Sequence, residues 1–159
     1  MLSSEEPRDK SVFATRPAVV DDQGYVCKTW VESVLDNDHC HRATDARKRL
    51  NLLVNRLLDD PATVVRIAYD PDEDRNPDED HEILGWIAYS AVGCGRTLLY
   101  INVRHQHRRQ SIATMLANAA GFDDECATVT YLFDGPSARW LKPKWPHAIK
   151  VEPELYLKA

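Results

Sequence analysis

The sequence predicts a single α/β (α+β) domain, a central sheet flanked by helices, and three observations carry that prediction. A chain of 159 residues with 43% hydrophobic and 28% charged residues is long enough to close one core without disulfide or metal staples. Runs rich in β-branched and aromatic residues alternate with stretches of helical periodicity in the order β-α-α-β-β-β-α-β, followed by a short helix or loop and a last strand. The stretch Thr97–Gly121, TLLYINVRHQHRRQSIATMLANAAG, passes from strand to basic loop to helix and is the segment around which the rest is arranged.

Residues 1–10 are polar, acidic and contain Pro7, which reads as a flexible leader and does not resemble a signal peptide. The domain proper spans 11–159. Val12–Pro17 reads as a first strand. Asp21 and Asp22 offer cap chemistry for a helix to about Leu35, carrying Tyr25, Val26, Trp30, Val31 and Val34. After the polar segment Asp36–His41, a second helix is expected from about Thr44 to Leu58, with Leu50, Leu53, Val54 and Leu57 on one stripe. Thr63–Tyr69 and Glu82–Ser90 have strand composition, and the acidic segment 70–82 joins them as a hairpin loop. Gly93, Cys94 and Gly95 mark the turn into the central strand. Beyond Gly121, Ala127–Phe133 and Lys150–Leu157 read as strands on either side of a proline-interrupted segment.

The central stretch has the makings of an anion site. Leu98–Val103 is a β-rich run, Arg104-His105-Gln106-His107-Arg108-Arg109-Gln110 is basic, and Ile112, Met115, Leu116 and Ala119 then recur at helical offsets. The first amides of a helix have no intrahelical partner, and the macrodipole favours negative charge beside them. Ser111 is a candidate N-cap.

The segment VRHQHRRQSIA resembles motif A of the GNAT superfamily of N-acetyltransferases, in which a strand ends in Val and an Arg/Gln-x-x-Gly-x-Gly/Ala loop leads into a helix. Arg108 matches the first motif position and Ala113 the last, while Ser111 stands where the family has its first Gly. The order of elements resembles that family over nearly the whole chain. The resemblance implies a mixed, mostly antiparallel sheet flanked by helices. It also implies acetyl-CoA as cosubstrate, its pyrophosphate on the loop and helix amides of Arg108, Arg109, Gln110, Ser111, Ile112, Ala113 and Thr114. The pantetheine arm would then run beside Ile101 and Val103. An amine acceptor, small molecule or protein, would attack the thioester directly from a groove between the first two helices and the sheet.

The proton-handling residues depart from the family pattern. The position six before Val103, where some members place a Glu, is Thr97, and counting from Ala138 to a terminal Tyr reaches Lys142 or Leu141. Tyr100, sharing a strand face with Asn102, and His107 are the substitute candidates for catalysis. These departures leave an alternative from a different class: a GNAT-fold protein without chemistry, serving as a binding or structural subunit of a larger assembly, for example a virus-encoded one.

Composition narrows the partners. A net charge of −5 argues against general nucleic-acid binding, which rests on phosphate neutralisation. No apolar run approaches the length of a membrane span. Cys27, Cys40, Cys94 and Cys126 are scattered without a CxxC pair, as expected of reduced thiols in the cytoplasm. No metal is expected. The alternating acids at 70–78 lack the Gly and Glu that a calcium loop needs, having Arg75 and His81 there, and His39-Cys40-His41 has no second ligand pair at a zinc spacing. Lys142–His147 reads as a surface loop packing its Trp inward. Association into homo-oligomers or with an assembly partner is left open.

Overall fold

In the computed structural model of the protein, the described residues are 13–37, 44–72, 82–92, 95–104, 111–122 and 128–158. They form β1 (Ala14–Pro17), a 3-10 turn (Val20–Asp22), α1 (Gln23–Asn37), α2 (Thr44–Asp59), β2 (Thr63–Tyr69), β3 (Gly85–Val92), β4 (Gly95–Val103), α3 (Ile112–Ala119), β5 (Thr128–Tyr131), α4 (Pro136–Leu141), β6 (Ile149–Lys150) and α5 (Pro153–Lys158). The strands lie side by side in sequence order in a six-stranded sheet. Pairings from β1 to β4 are antiparallel, and those of β4 with β5 and β5 with β6 are parallel. The sheet is therefore mixed and mostly antiparallel, as the resemblance implied. Parallel pairing of β4 with β5 requires a crossover, and α3 supplies it.

Two cores lie on opposite faces of the sheet. On one, α1 and α2 place Val26, Trp30, Val54 and Leu57 against Ile67, Trp86, Leu99 and Tyr100. On the other, Ile112, Leu116 and Ala117 of α3 and Leu141 of α4 pack on Ile87, Leu98 and Ile101. Strict alternation would put Leu98 and Tyr100 on the same face. A bulge prevents this. Ala88 faces Tyr100 while Tyr89 faces Leu98, so Leu99 is an extra residue in β4 and the strand changes sides there.

Local chemistry explains several boundaries. The Asp22 carboxylate does not cap α1 forwards; it accepts from the Val19 amide at 2.8 Å and from both terminal nitrogens of Arg16 at 2.6 and 3.0 Å. This pins the end of β1 to the start of α1. Gly85 opens β3 opposite Val103, where an added Cβ would lie 2.8 Å from the Asn102 carbonyl oxygen. The close approach requires glycine, and β3 accordingly begins at Gly85 rather than at Glu82. Strand β5 stops at Tyr131, short of Phe133.

The expected strand over 150–157 is corrected. Only Ile149 and Lys150 join the sheet, and Pro153–Lys158 is helical. Proline at the first helical position, Glu154 in the first turn and Lys158 in the last are the marks of a helix. They outweighed the β-like appearance of the run. Tyr156 and Leu157 then pack on the core beneath α1 and α2, with the Tyr156 hydroxyl donating to Ser90 Oγ at 2.9 Å. The leader at 1–10 and most of the acidic hairpin loop lie outside the described residues. At its beginning, the Asp72 amide donates to Asp70 Oδ1 at 2.9 Å.

Candidate active site

The site is built where β4 and β5 part. Their ladder runs from Gly95↔Thr128 to Leu98↔Tyr131 and closes with the Leu132 amide on the Leu98 carbonyl at 3.2 Å. Strand β4 continues to Val103, whereas the other chain turns off through Phe133 and Asp134 towards α4. The extra residue Leu99 bends β4 at the level where the ladder ends. The backbone pairing of these two parallel strands therefore ends at that level, beside the helix that connects them.

The β4–α3 loop hands over to the helix at Ser111, which has φ 63° and ψ 16°. Among the described residues it is the non-glycine residue with positive φ. Ser111 does occupy the N-cap position, but its side chain makes no cap bond; the left-handed backbone turns it outward, and it is exposed. A Ser thus adopts here the left-handed conformation that glycine takes most easily. Ile112 is buried in the core, so it can present its amide and not its side chain. Ala113 and Thr114 are half-buried on the first turn. Ile101 and Val103 pack on the α3 side of the sheet. Ile101, Val103, Ile112 and Ala113 belong to one packed cluster, and Ser111 and Thr114 stand at the start of the same helix; Arg108, Arg109, Gln110 and the catalytic candidate His107 lie outside the described residues.

Tyr100 is fully buried on the opposite face. Its ring stacks on Trp30 at 5.7 Å and meets Phe133 edge-on at 5.7 Å, and its hydroxyl lies 2.6 Å from Ser33 Oγ on α1. The Thr97 hydroxyl is 2.7 Å from that of Thr130, a link across the β4–β5 ladder.

Arg104 belonged to the basic segment in sequence, but its charge is engaged within the fold. Its Nε donates to the Tyr25 hydroxyl at 2.9 Å, its guanidinium lies 5.4 Å from the Tyr25 ring centre, and Nη1 is bonded to Glu82. Burial opposes the cation, and Tyr25 and Glu82 outweigh it, so its pKa rises. The Arg104 amide also donates to Leu84 at 2.9 Å. The start of the loop is thereby fastened to α1 and to the segment leading into β3.

Two cavities lie against opposite faces of the sheet. One of about 360 Å³, between α3 and the segment after α4, is lined by Thr114, Asn118, Trp140, Lys144 and Trp145. Lys144 donates to Thr114 Oγ1 at 3.2 Å and sits 4.5 Å over the Trp140 ring, and Trp145 meets Phe122 edge-on. The inward Trp145 agrees with the reading of Lys142–His147. The larger cavity, about 760 Å³, opens on the α1/α2 face where β5 ends, between Val34, Leu53, Leu132, Phe133 and α5. Sequence reasoning missed its tail wall because 150–157 was read as a strand. It missed Ser33, Tyr25 and Glu82 as partners because contacts across 67, 79 and 22 residues leave no local signal. Among the described residues no group of three or more His, Cys, Asp or Glu side chains could hold a metal ion, and no helix is long and apolar enough to cross a membrane.

No family model matches the sequence, and no curated protein sequence matches it. Solved structures do match the fold. A Pyrococcus furiosus protein assigned as an acetyl transferase is 14% identical with a TM-score of 0.62, over 84% of this chain and 91% of that one. A ribosomal-protein-alanine N-acetyltransferase from Brucella melitensis biovar Abortus is also 14% identical, with a TM-score of 0.54 over 86% and 91%. The PaiA N-acetyltransferase from Thermoplasma acidophilum, solved with coenzyme A, is 10% identical, with a TM-score of 0.52 over 84% and 87%. With a mixed six-stranded sheet, β4 and β5 parting beside α3, and these structural neighbours, the chain has the fold of the GNAT acetyltransferases.

Proposed function

We propose that this protein transfers the acetyl group of acetyl-CoA to an amine. The observation that carries the reading is the parting of β4 and β5 after Leu98↔Tyr131 next to the N-terminus of α3. That arrangement joins a slot for an extended arm to a helix end suited to phosphate. The residues fit such a cosubstrate. Ile101 and Val103 border the slot, and the left-handed Ser111 turns the chain so that the amides of Ile112, Ala113 and Thr114 begin the helix. Arg108, Arg109 and Gln110 supply cationic and polar side chains in the same loop sequence. Bound acetyl-CoA supplies an activated thioester. The amine nitrogen forms a bond to the acetyl carbon, the carbon–sulfur bond breaks, and the amine's proton is surrendered as the sulfur leaves as a thiol.

The chain's own contribution is positioning and the exclusion of water. Tyr100 is the proton donor in this reading, by virtue of its place on β4 where the ladder ends, with Ser33 orienting its hydroxyl. His107 is the second candidate. The acceptor is a small-molecule or protein amine, the protein acts in the cytoplasm, and self-association or an assembly partner is compatible with it. One observation favours a second reading, a GNAT-fold binding or structural subunit without turnover: Tyr100 is fully buried and its hydroxyl already bonded. A thermal-shift and calorimetric titration with acetyl-CoA tests the cosubstrate. A ligand that binds the folded state raises the melting temperature. Arg108→Ala with Ser111→Asp should abolish that rise, and no shift or heat at millimolar acetyl-CoA would sink the proposal. Binding without turnover on any amine would select the second reading.

A further inference from the structure

The cavity of about 360 Å³ beside α3 is not used by the acyl-transfer reading beyond the Thr114 amide. On the helix side it is lined by Thr114, Ala117 and Asn118, which share one face at helical spacing, and by Phe122 past the helix end. Asn118 stands about 6 Å further along the axis than Thr114, away from the end where a phosphate would rest. The other wall comes from α4 and the segment after it, as Trp140 and Trp145. Their rings lie 5.8 Å apart and tilted by 50°, so they form a corner and not a closed stack. Both are half-buried, whereas Trp30 and Trp86 are fully buried in the core. Trp145 is braced edge-on by Phe122 at 6.1 Å, and Phe122 by Tyr89 at 6.2 Å. The corner is therefore held from behind while part of each indole stays uncovered. Lys144 is exposed, lies 4.5 Å over Trp140 and donates to Thr114 Oγ1 at 3.2 Å. Among the described residues lining the cavity it is the one charged group, and none is a carboxylate.

We propose that this cavity is a second binding site, separate from the cosubstrate's, and that it takes a flat aromatic acid: an arene of one or two rings carrying a carboxylate. Its volume lies at the small end of the range of ligand cavities. The indole faces reward a flat ring with offset or edge-on contacts that a saturated ring of the same size does not make. Lys144 sets the sign of the charge. An aromatic corner attracts cations through the ring quadrupole, but the chain's own ammonium already lies over Trp140. A second cation would meet it as a like charge. A carboxylate gains that ammonium as a charged partner. After its bond to Thr114, Lys144 has two N–H donors left, and the Asn118 side-chain amide adds a donor and an acceptor on the helix wall. Binding is reversible, with no bond made or broken. The inference stands apart from acyl transfer, because Trp140, Lys144, Trp145 and Phe122 are not assigned to the cosubstrate. A nucleotide shares the flat ring and the negative charge, so the test includes one.

Proton–nitrogen NMR of the full chain reads its 4 indole N–H signals one by one. Naphthoate should shift those of Trp140 and Trp145, assigned with Trp140→Phe and Trp145→Phe, and leave those of the buried Trp30 and Trp86 unmoved. Benzoate should bind about fivefold more tightly than cyclohexanecarboxylate. Naphthoate should bind more tightly than naphthylmethylamine, a cation at neutral pH. Lys144→Met alters an exposed side chain and should fold; it should weaken naphthoate by about threefold and narrow the gap between the two naphthyl compounds. The site is overturned if naphthoate shifts neither indole, if the amine binds as tightly as the acid, or if Lys144→Met changes nothing. ADP supplies the ring and the pyrophosphate of the cosubstrate. If ADP moves the same two indole signals with higher affinity than naphthoate, the cavity belongs to the cosubstrate and the separate site falls. Weaker binding of ADP there, or none, keeps it separate. A failed acetyl-CoA titration beside intact naphthoate binding would remove acyl transfer and leave this site standing.

Discussion

The Tyr100 hydroxyl lies 2.6 Å from Ser33 Oγ, joining the middle of β4 to α1 at the level where β5 leaves the sheet. The contact separates two roles for the phenol. As a structural group it satisfies a buried partner. As an acid it would protonate the departing sulfur.

Tyr100→Phe and Ser33→Ala each remove one side of this bond, and each should cost about 1 kcal/mol in denaturant unfolding. Tyr100→Phe alone should lower kcat by tenfold or more and displace the alkaline limb of the rate profile between pH 6 and 9. Equal turnover and an unchanged profile in both variants would assign the tyrosine to the core.

Ser111 carries left-handed backbone strain, φ 63°, of about 1 kcal/mol for a side-chain-bearing residue. Ser111→Gly should relieve that strain, raising stability by up to about 1 kcal/mol, read as a higher urea midpoint with the same slope. Ser111→Val should destabilise, since a β-branched side chain is least tolerant of this conformation. A Gly variant that is less stable than the parent would mean that the serine side chain contributes more than its strain costs.

The Arg16–Asp22 pair predicts acid sensitivity. Asp22 is buried, and the hydrogen bond from Arg16 leads the causes that hold its pKa below the ordinary 3.8, against the opposing cost of burial. A carboxyl depressed in the folded state adds stability that is fully present above its unfolded pKa and is lost as pH falls through the folded value. Unfolding free energy should therefore drop below about pH 4. Asp22→Asn should flatten that drop and cost about 2 kcal/mol at pH 7. An unchanged acid limb in the variant would move the effect to other carboxyls.

Arg104 ties the start of the β4–α3 loop to Tyr25 and Glu82. Both members of the ion pair are about one-third exposed, so water screens it. Arg104→Met should lower stability by no more than about 1 kcal/mol. If acetyl-CoA binds on the loop that follows, the variant should bind it more weakly than Glu82→Gln does, because Glu82→Gln leaves the Tyr25 bond in place. Calorimetry on the two variants gives the comparison.

What the chain's own order of residues determined is its local structure. Thr63–Tyr69 was legible as a strand to the residue, Thr44–Asp59 nearly so as a helix, and the passage from β4 through a basic segment to a helix at Ile112 could be read from composition and period. These features are set by neighbours within a few positions, through side-chain alternation and i, i+4 packing. The tail shows the limit of that reading: Pro153, Glu154 and Lys158 carried the helical signal, and a count of β-prone residues obscured it.

Tertiary structure decided the site. The bulge at Leu99, the end of the ladder at Leu98↔Tyr131 and the cavity closed by α5 depend on how strands distant in sequence come into register. The same is true of Tyr100: its alternation placed it with Asn102, while its burial among Trp30, Trp86 and Phe133 came from α1 and the segment after β5. Arg104 reads as one more cation in a basic run until Tyr25, 79 residues earlier, takes up its guanidinium. Burial and hydrogen-bond partnership are properties of the packed chain, because each depends on desolvation by groups that only folding brings within reach.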